Sequence, residues 1–266
     1  MVIETEEIAI LLSNSGKVLS IVTISKNDLV GLRSTIKSLT EQDFQSWKCL
    51  FVLPSKDDDS YAEVKQIIDR DDRFSLLLQQ VPGIYGAMNL ALEHVITKYV
   101  WFMNGGDKFA SERTLSESIE ILLERRCSLL IGGYSYVEGK TKRIFVKRPS
   151  KVSAQRFSLN IRGGCHQSMI FDFSSNPELR FNTDFRICAD FDYVLNFIKS
   201  GTAFRVNRLF AEIDPNGISS LQISEVLKEK QQIRSQHFSK TSSTVLFGKI
   251  QNLLINTKVK LRKLLN

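Results

Sequence analysis

One stretch, Val81 to Asp107 (VPGIYGAMNLALEHVITKYVWFMNGGD), limits the folds open to this chain more than any other. Pro82-Gly83 predicts a turn, the apolar spacing from Ile84 to Thr97 a helix, and the apolar run Tyr99 to Met103 a short buried strand. That strand stops abruptly at Asn104-Gly105-Gly106-Asp107. In an open α/β sheet, ligands bind where strands end in this way, because backbone groups emerge there uncovered and helix N-termini converge. Two adjacent glycines let the backbone approach a bulky anion, and Asp107 offers a hard oxygen ligand for a divalent cation. A tight turn leaving a strand would use the same four residues without any ligand.

The flanking segments extend the pattern. Val18 to Ser25 (VLSIVTIS) is a continuous, β-branched apolar run, as in a central strand buried on both faces. Asn27 is positioned to cap a helix whose Leu29, Leu32, Ile36 and Leu39 share one face. Cys49 to Leu53 predicts the next parallel strand, Tyr61 to Asp69 a helix behind an acidic loop, and Phe74 to Leu78 a third strand. Beyond Asp107, a helix from Ser111 to Arg125 turns Leu115, Ile119, Leu122 and Leu123 inward. Ser128 to Tyr134 then reads as a buried strand and Gly139 to Val146 as a polar ribbon. Helices alternating with strands predict an α/β fold, a mostly parallel central sheet with helices on both faces. The second half is less regular. Its clearest element is a helix from Ala189 to Ser200 with Phe191, Val194, Leu195 and Ile198 on the buried side. Asp190 then sits in the first turn, where the amide dipoles favour a carboxylate.

The segments Gly83-Ile84-Tyr85-Gly86-Ala87-Met88-Asn89 and Trp101-Phe102-Met103-Asn104-Gly105-Gly106-Asp107, in that order and spacing, resemble two signatures of the family 2 glycosyltransferases with the GT-A fold. That family shows a GIYDAMN-like helix start, then a strand ending in a short acidic loop that holds a metal and the diphosphate of a sugar nucleotide. Two positions depart from it: Gly86 stands where Asp is common, and Asp107 is the last carboxylate left in the loop. The likeness runs from about Leu19 to Ser220. Ser25 and Asn27 fall in the polar turn after the first strand, and Ser38-Leu39-Thr40-Glu41-Gln42 matches the end of the next helix. Where the family carries a base-contacting Asp-Gly-Ser-x-Asp pattern, this chain has Pro54-Ser55-Lys56-Asp57-Asp58-Asp59-Ser60. That role passes to one of Asp57 to Asp59, Asp57 first, unless the loop is only a solvated helix cap. Gly163-Gly164-Cys165-His166-Gln167 resembles a His-Gln pair that begins a strand, and Cys188-Ala189-Asp190 the motif whose Asp is the base of inverting members, with Asp192 as its fallback. Asp214-Pro215-Asn216-Gly217-Ile218-Ser219-Ser220 resembles the turn that closes the domain.

The resemblance implies one GT-A domain over residues 18–220, most like bacterial polysaccharide-biosynthesis glycosyltransferases of the colanic-acid type. Residues 18–107 would form the nucleotide-sugar half and 108–220 the acceptor half. Such an enzyme moves one sugar from a nucleotide-sugar donor to a hydroxyl of a glycan or lipid-linked glycan, with inversion. On this reading Asp190 is the catalytic base. Ser25, Asn27, Asp57, Tyr85, Asn89, Asn104, Gly105 and Gly106 contact the donor, and His166, Gln167 and Asp192 face the acceptor or the diphosphate. Asp107 and His166 hold a divalent cation, Mn2+ or Mg2+. The chemistry agrees: a departing nucleoside diphosphate gains negative charge that a cation offsets, and an attacking hydroxyl needs a carboxylate to take its proton. Two alternatives stand beside it. A nucleotidyltransferase would carry a Gly-rich basic loop after its first strand, whereas Ile24 to Asp28 has no glycine. A non-catalytic nucleotide- or glycan-binding member would fit the missing acidic residues at Pro54, Gly86 and Gly106. No P-loop, zinc spacing or Ser-His-Asp order competes.

Charge separates the tail from the body. Residues 226–266 carry nine Lys or Arg and one Glu, a net +8 against +7 for all 266 residues, which leaves −1 for the rest. The basic excess therefore implies no nucleic-acid groove in the body. From Leu246 to Leu265 a helical projection gathers Leu246, Phe247, Ile250, Leu253, Leu254, Leu261, Leu264 and Leu265 on one face, flanked by Lys258 and Lys260. A basic amphipathic helical tail over 221–266 follows, suited to a membrane interface, to the body, or to a dimer seam. Cys49, Cys127, Cys165 and Cys188 form no paired motif, so a reducing, cytoplasmic setting is expected, with the tail adding a peripheral position on the inner face of the cell membrane. Residues 1–17 read as an acidic extension rather than a signal peptide, and no run approaches the roughly 18 apolar residues of a membrane span.

Overall fold

The computed structural model describes residues 17–159, 165–214 and 222–265. The N-terminal extension up to residue 16, Gly163-Gly164 and the turn residues Pro215 to Ser220 lie outside the described residues. The chain runs β1 (Leu19–Ile24), α1 (Leu29–Thr40), β2 (Trp47–Leu53), α2 (Tyr61–Ile68), β3 (Phe74–Leu78), α3 (Ile84–Leu92) and β4 (Tyr99–Phe102). It continues with β5 (Lys108–Phe109), α4 (Thr114–Arg125), β6 (Leu129–Glu138), β7 (Thr141–Phe145), β8 (Ser150–Lys151), α5 (Ala154–Ser158) and β9 (Met169–Asp172). Helix α6 (Ala189–Ser200), β10 (Ala203–Glu212), α7 (Ile223–His237) and α8 (Ser243–Leu265) complete it.

A single ten-stranded sheet joins both halves in the order β3-β2-β1-β4-β9-β6-β10-β5, with β7 on β6 and β8 on β10. Strands β3, β2, β1 and β4 are parallel, as the apolar runs predict. The parallel run is interrupted where β9 enters antiparallel between β4 and β6, and it resumes between β6 and β10. The six strands β3, β2, β1, β4, β6 and β10 share one direction, so the sheet is mostly parallel, with β9 inserted antiparallel and β5, β7 and β8 as short antiparallel additions. Successive side chains sort onto two faces. Val22 and Phe102 join a core beneath α3 and α6, while Ile21 and Trp101 join one beneath α1, α2 and α4.

Several boundaries differ from the sequence reading. Helix α3 ends at Leu92, not Thr97, and the His94 amide turns back to the Ala91 carbonyl at 2.9 Å. The β-branched Val95-Ile96-Thr97 that follow favour extended backbone. The buried Thr97 hydroxyl then meets Ser20 Oγ and the Tyr99 carbonyl, each at 2.8 Å, and draws the chain into the sheet. Asp28, not Asn27, caps α1 by accepting the Gly31 amide at 2.9 Å. Asn27 takes a left-handed φ of 49°, which Asn tolerates, and its amide donates to Asp58 at 2.8 Å. Strand β10 escapes the pattern reading altogether. Arg205, Asn207 and Arg208 interrupt its alternation, and its register against β6 shifts between Arg205 and Leu209 and again before Ala211.

The tail helices are part of the body. Arg234 of α7 is almost fully buried, and its Nε donates to the Ser158 carbonyl at 2.9 Å. Helix α8 lies against α7 so closely that a Cβ on Gly248 would stand 2.9 Å from Arg234 Cδ.

Candidate active site

From β1 the chain builds outward through β2 to β3, then crosses to the other side of β1 to make β4. That reversal opens a crevice at the carboxyl ends of β1 and β4, where Ser25 and Asn104–Asp107 emerge. The Gly105 amide donates to the Ile24 carbonyl at 2.9 Å, and a Cβ on Gly105 would stand 2.9 Å from Ser25 Oγ, so a side chain there would force Ser25 to move. Gly106 has a φ of 91°, a second conformation that excludes most side chains. Thr35 of α1 stitches the loop from below, its hydroxyl accepting the Gly106 amide at 3.1 Å and donating to the Asp107 carbonyl at 2.7 Å. Ser25 Oγ and Asn104 Oδ1 are buried here without a hydrogen-bond partner, which is costly unless a ligand engages them.

Asp107 is 4% exposed. One carboxylate oxygen accepts Gln167 Nε2 at 2.8 Å and the other the Asp214 amide at 2.9 Å. Burial nonetheless raises its pKa to about 6, with the Asp214 carboxylate adding to the rise. Each oxygen keeps a second lone pair, so Asp107 fits a hard cation as one of several ligands. Among the described residues no three His, Cys, Asp or Glu side chains converge on an ion, so the remaining ligands would come from a bound anion and water.

His166 links this loop to Asp190. Its Nδ1 lies 3.1 Å from Asp190 Oδ2, and its Nε2 3.4 Å from Asn104 Nδ2. A proton on Nδ1 donates to the carboxylate, while Asn104 meets the opposite edge of the ring. The other Asp190 oxygen accepts the Phe191 amide at 2.8 Å and stands 3.3 Å from the Tyr85 hydroxyl, which also donates to the Ile187 carbonyl at 2.6 Å. Burial pushes the Asp190 carboxyl upward, but the hydrogen bond and charge of His166, the charge of Lys230 and the Phe191 amide outweigh it and hold it below the usual carboxylate range. A small cleft lined by Phe157, His166, Met169, Asp190 and Lys230 opens beside it. Four segments distant in sequence thus meet: Tyr85, Asn104–Asp107, His166–Gln167 and Asp190. The arrangement joins an anion-cradling loop to an ionised, hydrogen-bonded carboxylate that can take a proton.

Other predicted residues fall elsewhere. Both ends of the Asn89 amide are spent on the Phe181 backbone, at 2.9 and 2.8 Å, so Asn89 is a clamp rather than a donor contact. Asp192, two residues from Asp190 and hence on another side of α6, is buried against His237 Nε2 at 2.7 Å. It anchors α7 and does not face an acceptor. Asp57 is exposed, whereas Asp58 is buried and holds the Asn27 and Ser60 amides at 2.8 and 3.0 Å. Tyr85 stands against Asp190 rather than against the glycine loop. Sequence reasoning missed Lys230, and with it Glu229, whose carboxylate accepts the amides of Arg186, Ile187 and Cys188 at 3.0, 3.0 and 2.8 Å. Both sit in a charged run, KEKQQ, with nothing to distinguish it from a solvated helix face. A larger cleft around Lys98, Arg126 and Asp172 lies at the amino end of β4, away from these groups.

A family model described as "Glycosyl transferase family 2" matches residues 20–189. TuaG of Bacillus subtilis (strain 168), a glycosyltransferase named for teichuronic acid biosynthesis, is 26% identical over 215 residues, covering 79% of this chain and 84% of that protein. An uncharacterized glycosyltransferase of Mycobacterium tuberculosis, Rv1514c, is 26% identical over 211 residues, covering 77% and 78%. Among solved structures, S. aureus TarS 1–349 in complex with UDP has a TM-score of 0.62 at 15% identity, over 85% of this chain and 73% of that one. The mannosyltransferase PcManGT from Pyrobaculum calidifontis, in complex with GDP-Man and Mn2+, has a TM-score of 0.60 at 12% identity, over 88% and 69%. At these identities the structural likeness is one of fold, the GT-A fold.

Proposed function

Since the chain belongs to glycosyl transferase family 2, we propose that it moves one sugar from a nucleotide-sugar donor to an acceptor hydroxyl, with inversion and with Asp190 as the base. The observation that carries this reading is the junction of Asp190 with the Asn104–Asp107 loop through His166. A sugar held between the two would present its anomeric carbon to a hydroxyl on the Asp190 side and its leaving diphosphate to the loop side. Inversion needs only that single base opposite the leaving group. His166 and Tyr85 fix the orientation of the carboxylate, so that a free lone pair is available as the hydroxyl attacks.

The donor would occupy the crevice of residues 18–107, its polar groups meeting Ser25 Oγ and Asn104 Oδ1 and its diphosphate the backbone at Gly105 and Gly106. Residues 108–220 would shape the acceptor side. Asp107, with His166 as second candidate, would hold a divalent cation, Mn2+ or Mg2+, which when bound offsets the charge of the departing diphosphate. Gln167 and the Asp214 amide orient that carboxylate meanwhile. The relation to TuaG supports a glycan or lipid-linked glycan acceptor and a place in polysaccharide biosynthesis. Free cysteines, three of the four buried, support a cytoplasmic setting.

Calorimetric titration of the protein with a panel of sugar nucleotides, with and without Mn2+, tests the reading. One donor is expected to bind in a chelator-sensitive way and to be turned over, and Asp107→Ala should abolish both the metal response and transfer. Donor binding with no transfer to any acceptor and no hydrolysis would favour a non-catalytic binding protein instead.

A further inference from the structure

Helix α8 turns its polar side to the protein and its apolar side to solvent, the reverse of a surface helix that merely covers a core. The docked side is small or polar. Thr244, Val245 and Gly248 are buried, Gln251 Nε2 donates to the Leu159 carbonyl at 3.2 Å, and Asn252 Nδ2 donates to the Leu227 carbonyl at 2.8 Å. The outer side presents Leu246, Phe247, Ile250, Leu253 and Leu254, between 49% and 68% exposed. Five of the eleven exposed large apolar side chains among the described residues therefore stand within nine residues of one helix. Positions 246, 250, 253 and 254 follow one helical stripe, and 244, 245, 248, 251 and 252 the opposite one. The body already occupies the polar side, so the apolar stripe is not a core face waiting for the body.

We propose that this stripe docks on an anionic lipid surface, with α8 lying in the plane of the interface. Charge selects that occupant. Lys240 just before the helix and Lys249 within it are exposed, and Lys258, Lys260, Arg262 and Lys263 follow in the same helix, which continues to Leu265. Residues 226–266 carry nine basic residues against one acidic, so a second copy of the tail would bring like charge to the seam, whereas phosphate head groups complement it. The helix spans 23 residues, a length suited to lying on a surface. No helix among the described residues is long and apolar enough to cross a membrane, so the contact is peripheral.

Co-sedimentation of the full-length protein with phosphatidylglycerol-containing and with pure phosphatidylcholine vesicles tests this. Binding is expected to the anionic vesicles, to weaken with added salt, and to fall about a hundredfold or more in I250E/L253E. Thermal unfolding of that variant should match wild type, since both side chains are exposed. Absence of anionic-vesicle binding in the wild type overturns the proposal, as does binding that I250E/L253E leaves intact. A dimer in sedimentation velocity that this variant dissociates, without any vesicle binding, would assign the stripe to a second copy instead.

Discussion

Asp190 and Asp107 have nearly the same chemistry in the sequence and opposite electrostatics in the fold. The groups around Asp190 hold its pKa low, so it is ionised well below neutrality and ready to accept a proton. Asp190→Asn should keep donor affinity and lower kcat by about 10²-fold or more, because only the proton acceptor is lost. Equal losses in both quantities would mean that the side chain holds the site together instead. Burial lifts Asp107 to about 6, against about 3.9 in an unfolded chain. Between those values the native state binds more protons than the unfolded one, so the contribution of Asp107 to stability falls as pH rises through this window. Compared with Asp107→Asn, the wild type should therefore gain about 1 kcal/mol on going from pH 7 to pH 5, measured by urea unfolding of the metal-free protein. A difference that does not vary with pH would refute it. The residues legible in sequence were those lying in short local patterns, such as Asp107 and Asp190. Asn89 was misread because its pattern fixes only a helix position, whereas its partner, the Phe181 backbone, arrives from 92 residues away.

At the scale of elements, α6 begins without a side-chain cap of its own, its first turn carrying Asp190. The loop leading into it is held from outside by Glu229 of α7, which takes three consecutive backbone amides. Charge-assisted bonds to three otherwise unpaired donors make this carboxylate the functional cap of the loop. Glu229→Ala should lower stability by about 1–3 kcal/mol and reduce kcat more than it weakens donor binding. Activity equal to wild type in a destabilised variant would limit Glu229 to a structural role. Strands β1 and β2 were legible as continuous apolar runs because the sheet buries both their faces, and helices α1 and α6 because one-sided burial imposes a period on them. Strand β10 was not, since its bulges break any run or alternation and its outer positions carry arginines. The antiparallel entry of β9 was equally hidden, because strand direction depends on the path of the chain between elements and leaves no mark on composition.

In the whole molecule, the α/β class and the crevice at the end of β4 followed from the order of elements, while the closure of the sheet did not. Short β5, directly after Asp107, pairs with Ala211 and Glu212 of β10, and the Asp214 amide reaches Asp107 across 107 residues. Tyr85 and Asp190 meet across a separation of 105. These long closures set an order in time. A newly made chain can pair β1, β2 and β3 through neighbouring segments, but contacts of such range carry the larger loop-closure entropy and form late. The two tryptophans record the two stages separately. Trp47 packs on Phe74 within the early sheet, whereas Trp101 packs on Phe109 and Phe210, one from each side of the late closure. In refolding experiments on single-tryptophan variants, Trp47 emission should recover before Trp101 emission, with donor binding returning in step with Trp101. Coincident recovery would mean that the sheet closes as one unit. On the expected order, a nascent chain stays inert until its last strand is in place, because Asp107 is not held by the Asp214 amide before then.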